Sequence, residues 1–308
     1  GLDFAPPAIQ LEKLRAWKES VTDRLAPGLA QLAKARGVRV VQARAAFASP
    51  TQLRLTAPDG SVAAQEFETL LLATGSVPAR PAAFPADHPH LWDSTAALAL
   101  AEIPETLLVV GGGYIGLELG SVYAALGARV TVVEMTGGLL PGADRDLIVP
   151  LAKRLRGLFQ DIHLNTRVAG VADDPAGLRV TLENAKTGET RAETFAKVLV
   201  AVGRRPLTDG LDLEKAGIAL TDRGFVSVDE NGRTANPRVF AAGDVAGNPM
   251  LAHKATHEAR ALVAHLAGRA AHDLAPVPAV VFTDPEIARV GLTESQAKEE
   301  GREIKVSK

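Results

Sequence analysis

Short apolar runs alternate with stretches of helical period along most of this chain. The runs at 69–73, 107–110, 129–133, 196–202 and 239–242 are bounded by glycine, proline or charged residues. Each is long enough for one buried strand and too short for a helix. Between 9 and 36 the period changes. Leu11, Leu14, Val21, Leu25, Leu29 and Leu32 alternate with Lys13, Arg15, Lys18 and Glu19, which predicts a helix ended by Gly37. Pro27 should break or restart it, and Trp17 is read as a packing residue. A strand follows at 38–41. Segments 52–56 and 61–67 form a hairpin around Pro58, Asp59 and Gly60. The stretch 77–90 is rich in proline and alanine and reads as a connection, in which His88 and His90 are solvated loop residues.

Beyond the strand at 107–110 the pattern gives a helix ended by Gly127, the strand 129–133, a helix at 143–157 and a strand at 163–168. A hairpin (178–183 with 190–195) turns around Lys186, Thr187 and Gly188 before the strand 196–202. This β-α-β-α-β order with an antiparallel insertion closes one α/β domain. A short helix at 211–217, strands at 225–228 and 239–242, and a long helix at 251–268 come next. The last segment predicts a strand at 279–282 and a helix at 293–300, for which Thr293 and Gln296 make a capping box.

The chemistry centres on 107–134. Gly111, Gly113 and Gly116 follow the strand at once in the G-x-G-x-x-G spacing. Gly111 permits the tight turn, Gly113 admits a pyrophosphate, and Gly116 lets the helix lie close to the strand. The helix N-terminus offers unpaired N–H groups to phosphates. The spacing alone also occurs in other glycine-rich loops. Here a strand precedes it, a helix follows, and Glu134 stands about 20 residues on, as a dinucleotide fingerprint requires. Glu134 can accept from both ribose hydroxyls and would repel a 2′-phosphate. Met135 and Thr136 follow it rather than arginine, so NAD is favoured over NADP.

Asp244 ends the strand at 239–242 after Gly243, either as a ligand contact or as a helix N-cap. His253, His257 and Glu258 lack the His-Glu-x-x-His order, so no zinc site is assigned, and His163 carries no ligand role. The 308 residues suffice for two domains or more. A net charge of −2 argues against nucleic acid or an anionic membrane as partner, and no apolar run reaches membrane-spanning length. The absence of cysteine excludes disulfides and thiolate chemistry within these residues. The chain starts at Gly1, and the pattern predicts a new strand opening at 304–308, so an internal fragment is expected.

Four stretches stand in a fixed order: Ala73-Thr74-Gly75-Ser76, the turn at Gly111, Ala201-Val202-Gly203-Arg204-Arg205-Pro206, and Phe240-Ala241-Ala242-Gly243-Asp244. Together they resemble the two-dinucleotide flavoprotein disulfide reductases. Trp92-Asp93-Ser94-Thr95, Met250 to Ala255 and the run from Val277 to Glu294 resemble the dihydrolipoamide dehydrogenase branch of that family. The resemblance implies an α/β fold with two Rossmann-like three-layer nucleotide-binding domains and the start of an α+β dimerisation domain. Its expected segments are a first FAD segment (1–80), an NAD-binding domain (81–206), a second FAD segment (207–275) and the beginning of the dimerisation domain (276–308).

The resemblance also implies site residues. For NAD these are Gly111, Gly112, Gly113, Tyr114, Ile115, Gly116, Glu118, Glu134, Val168, Ala201, Gly203 and Arg204. For FAD they are Ala45, Thr74, Gly75, Ser76, Asp244, Met250, Leu251, Ala252 and His253. Glu118 would also pair with a flavin-side lysine upstream of Gly1. The family's N-terminal FAD turn, its C-x-x-x-x-C redox pair and its His-Glu acid–base pair are not found here, so this stretch alone should not turn over dihydrolipoamide. The intact protein would be a cytoplasmic homodimer that oxidises dihydrolipoyl groups on the lipoyl domains of 2-oxo-acid dehydrogenase complexes. A soluble pyridine nucleotide transhydrogenase, a mercuric reductase and a non-catalytic NAD-binding module are the competing readings.

Overall fold

The computed structural model describes residues 7–85, 87–269 and 276–307. The expectations attached to Gly1 and Lys308 lie outside them. Two compact units emerge. One takes in the chain up to Gln31, Pro78–Gly203 and the chain from Val280 onward. The other takes in Leu32–Val77 and Arg204–Ala279.

The first unit is built on a five-stranded parallel sheet. Its strands lie in the order Leu91–Trp92, Lys197–Val200, Thr106–Val110, Arg129–Glu134 and Asp161–Leu164. The central strand pairs in parallel on both sides, Leu108 with Thr131 and with Val198. Leu107, Leu108 and Val109 are fully buried, as both faces of a covered parallel sheet require. On one face the helices Tyr114–Ala125 and Arg145–Leu158 bury Leu117, Tyr123, Leu151 and Leu155 against Leu107 and Val109. On the other, Leu108, Val110 and Val198 meet Leu178, Val180 and Leu182 of an antiparallel sheet. That sheet comprises Thr166–Asp174, Gly177–Asn184 and Thr190–Phe195. Three layers result: helices, parallel sheet, antiparallel sheet. Leu11, Leu14, Val281 and Ile287 pack on the helical side.

In the second unit, Arg44–Ser49, Gln52–Thr56 and Val62–Glu66 form an antiparallel meander. Leu70–Leu72 pairs in parallel with Val239–Ala241. Phe47, Leu72, Leu213, Val226, Val239 and Val245 make its core. The helix Ala252–Leu266 follows.

Several local expectations need correction. The helix Leu11–Ala35 runs through Pro27 without a break. It buries no residue, so water can solvate the carbonyl that proline leaves unpaired. For the same reason Trp17 is not a packing residue; it is 65% exposed. Residues 38–41 form no strand, since Val38, Val40 and Val41 are exposed and have no ladder partner. The alanine-rich Arg44–Ser49 takes that place because Gln52–Thr56 folds back on it. Residues 225–228 keep one isolated bridge, Leu220 to Val226. The expected strand 163–168 is split by Asn165 at φ 52°. The first part joins the parallel sheet and the second the antiparallel one. His88 and His90 are not solvated loop residues: His88 Nε2 lies 2.9 Å from Asp173 Oδ1, and His90 Nδ1 lies 2.8 Å from the Ala196 carbonyl.

Candidate functional site

The glycine turn closes tightly everywhere except at Gly113. Gly111 sits at φ +110°, and a Cβ there would lie 2.5 Å from the Ala201 carbonyl oxygen. A Cβ at Gly112 would meet Leu139 Cδ2 at 2.8 Å, and one at Gly116 would meet the Gly111 carbonyl oxygen at 2.2 Å. At Gly113 a Cβ would meet nothing within 4 Å. Gly113 is also the N-cap of the helix Tyr114–Ala125, and no side chain caps that end. The turn is therefore compact behind and open in front, over a helix N-terminus. This shape fits a pyrophosphate approaching the backbone.

Glu134 is 7% exposed and holds this turn. Its Oε2 accepts from the Gly112 amide and its Oε1 from the Thr136 amide, each at 2.7 Å. A carboxylate has about four acceptor positions, so two remain for ribose hydroxyls. The loop after Glu134 folds back over the turn. The Leu140 amide donates to the Gly112 carbonyl at 2.8 Å, and Leu139 and Leu140 are buried. Sequence reasoning missed these two leucines. An apolar pair straight after Gly137-Gly138 was the available signal.

The other expected NAD residues of this unit lie as follows. Ile115 packs on the helical core, and Tyr114 is 39% exposed at the helix start. The Ala201 amide donates to the Val110 carbonyl at 2.8 Å, at the edge of the turn. Gly203, at φ +128°, accepts from the Ala79 amide at 3.0 Å. Val168 packs against the antiparallel-side core, next to a register shift in its strand. Glu118 Oε1 accepts from the Phe282 amide at 2.8 Å and so anchors the segment entering from Val280.

Arg204 departs from its expected group. It belongs to the second unit, where its Nε donates to Ser76 Oγ and its Nη2 to the Ser76 carbonyl, each at 2.7 Å. Ser76 Oγ in turn donates to Asp244 Oδ2 at 2.6 Å. Arg204 thus stands with residues expected for FAD. A guanidinium reaches a hydroxyl and a carbonyl at once, which one strand-end spacing does not reveal. Thr74 Oγ1 donates to the Leu207 carbonyl at 2.8 Å, and Gly75, at φ +74°, accepts from the Leu207 amide. Asp244 lies inside a single 3₁₀ turn, Gly243–Val245, and caps no helix. The helix Ala252–Leu266 starts at Leu251 with no side-chain cap; Met250 is half-buried, Ala252 and His253 are exposed, and His253 Nε2 lies 2.6 Å from the Pro278 carbonyl. Ala45 is exposed on the outer strand of the meander, opposite Leu55. A part-buried carboxylate beside an open, uncapped helix start fits a polyhydroxyl chain joined to a polar ring edge, as in FAD.

A family model described as pyridine nucleotide-disulphide oxidoreductase matches residues 4–259, and the dimerisation domain of that family matches 277–308. The chain belongs to this family. Among its curated relatives, dihydrolipoyl dehydrogenase of Vibrio parahaemolyticus is 40% identical over 308 residues, covering 100% of this chain and 64% of that protein. The enzyme of the same name from Haloferax volcanii is 42% identical, covering 96% of this chain and 63% of that protein. The chain thus spans under two thirds of the length of these relatives. Among solved structures, the HOCl-induced flavoprotein disulfide reductase RclA of Escherichia coli superposes with a TM-score of 0.85 at 31% identity, over 96% of this chain and 66% of that one. LpdA of Mycobacterium tuberculosis gives 0.85 at 29% identity, over 96% and 65%. The expected α/β architecture is therefore that of the flavoprotein disulfide reductases.

Proposed function

We propose that this chain is the nicotinamide-binding part, and half of the flavin-binding part, of a dihydrolipoyl dehydrogenase. The observation that carries the reading is the glycine turn: closed at Gly111, Gly112 and Gly116, open at Gly113, and tied to Glu134. In this reading the amides at the start of the Tyr114–Ala125 helix receive the NAD pyrophosphate, and Glu134 receives the adenosine ribose. Val168, Ala201 and Gly203 line the rest of the nucleotide's path. Thr74, Ser76, Asp244 and the turn from Met250 to His253 hold FAD, with Asp244 on its ribityl chain. FAD, when bound, supplies the electron transfer between a dithiol and the nicotinamide. The protein's own part is to hold the two cofactors.

The whole protein would be a cytoplasmic homodimer, with residues 277–308 opening the dimerisation domain, and lipoyl domains would be its macromolecular substrates. Likeness to RclA, a disulfide reductase of another name, favours one competing reading: a family member acting on a different substrate. Steady-state assays of the FAD-loaded full-length protein separate the two. Dihydrolipoamide-dependent reduction of NAD is expected. Electron exchange between NADPH and NAD with no dihydrolipoamide oxidation would refute the assignment.

A further inference from the structure

The geometry points to Lys254 and Glu258 as positioning residues for the flavin-binding acid Asp244. The inference rests on the reading that Asp244 holds the FAD ribityl chain. Both residues lie on the helix Ala252–Leu266, one turn apart. Lys254 Nζ and Glu258 Oε1 are 2.9 Å apart, with side-chain exposures of 8% and 26%. A lysine this buried must be paired. The pair does more than neutralise itself. Glu258 Oε2 accepts from the Gly243 amide at 2.8 Å. Lys254 Nζ donates to the Gly247 carbonyl at 2.8 Å and reaches the Gly243 carbonyl at 3.4 Å. The two charges therefore grip both ends of the turn 243–247, and Asp244 is the second residue of that turn.

The turn is held from other sides as well. Gly243 sits at φ +80°, and a Cβ there would lie 3.1 Å from Ala255 Cβ, so the backbone rests directly on the helix. Val245 is fully buried, and its carbonyl accepts from the Val226 amide at 2.9 Å. These contacts fix where the turn lies. The charge-assisted bonds fix the direction of its Gly243 amide and Gly247 carbonyl, and so the direction in which Asp244 leaves the backbone. At the far end of the Asp244 side chain, Arg204 acts through Ser76 on the carboxylate itself. A ribityl chain would meet an acid whose backbone and carboxylate are both set before it arrives, which lowers the ordering cost of binding.

The test compares amide hydrogen exchange, thermal stability and FAD affinity by flavin-fluorescence titration. The central variant replaces both charges, Lys254→Met with Glu258→Leu. It leaves no uncompensated buried charge, so its Tm should fall less than that of Glu258→Ala, which strands the Lys254 ammonium as well. It also leaves no acceptor for the Gly243 amide. That amide should then exchange at least about tenfold faster, and FAD affinity should fall by about tenfold. Glu258→Gln keeps an acceptor oxygen and should retain the protection that Glu258→Ala loses. If the double variant keeps both Gly243 protection and FAD affinity, the pair is merely structural and the inference is wrong. Asp244→Asn distinguishes the two layers. It should weaken FAD binding and leave Gly243 protection intact. If it leaves FAD binding unchanged, the Asp244 reading falls, while Gly243 exchange in the Glu258 variants still decides whether the clamp exists.

Discussion

Gly116→Ala should destabilise the first unit sharply. The new Cβ would sit 2.2 Å from the Gly111 carbonyl oxygen and 3.0 Å from Val109 Cγ1. Neither neighbour can yield cheaply. Gly111 is fixed by its amide, which donates to the Val133 carbonyl at 2.8 Å, and Val109 is fully buried in the central strand. Relief requires the helix to move off the sheet. Overpacking of this kind costs about 1–3 kcal/mol, against up to about 1 kcal/mol that alanine gains over glycine in a helix. A net loss of up to about 2 kcal/mol is expected, or up to roughly 3 °C in Tm for a chain of this size. The same substitution at Gly157 is the control. It lies in the helix Arg145–Leu158, and a Cβ there would meet nothing within 4 Å. Gly157→Ala should stabilise the protein slightly. Differential scanning calorimetry of both variants reads the contrast. A Gly116→Ala protein as stable as wild type would show that the helix does not lie on the strand as described.

Other outcomes follow from buried polar groups. Burial first, and Glu102 second, push the Tyr123 hydroxyl up to about 12; it donates to the Ala97 carbonyl at 2.7 Å. Tyr123→Phe removes that bond and leaves the Ala97 carbonyl with the Leu100 amide alone, at 3.2 Å, so it should cost about 1 kcal/mol in urea denaturation. Burial, then Arg191, pushes the His163 imidazole below its ordinary value. The unfolded chain therefore takes up this proton first as the pH drops. The stability tied to a neutral His163 is complete above about pH 6.5 and is lost as pH falls through the lower folded value. His163→Gln should flatten the acid side of a Tm-against-pH profile, and an unchanged slope would contradict this. Glu134→Gln removes the charge that repels a 2′-phosphate, so titrations with NADH and NADPH should give a narrower affinity ratio than wild type.

The glycine turn was legible from sequence because each glycine answers a separate local demand, and the strand, helix and acid around it lie within one βαβ unit. The buried parallel strands followed from the short apolar runs, whereas the three-layer order came from the resemblance to the flavoprotein disulfide reductases. What stayed hidden depends on contacts distant in sequence. Nothing near Val38, Val40 and Val41 says that they lack a ladder partner, and nothing near Ala46 and Phe47 says that they have one. Lys254 and Glu258 look like an ordinary solvated pair one helical turn apart. Only the turn at Gly243–Val245, packed on their helix, buries them. Arg204 is expected with the NAD residues, and its side chain, rather than its place in the motif, joins it to Ser76 and Asp244. Pro27 misled because an exposed helix tolerates a proline that a buried one would not.

The claim that the turn at Gly113 receives a dinucleotide pyrophosphate is tested most directly by Gly113→Ala. Its φ of −79° suits alanine, and a Cβ there meets nothing in the protein, so stability should stay within about 0.5 kcal/mol of wild type. That Cβ would occupy the space through which the pyrophosphate approaches the backbone. A fluorescence titration with NADH should show binding to the wild type and an affinity at least about tenfold weaker in the equally stable variant. Equal NADH affinity in the two proteins would contradict the account.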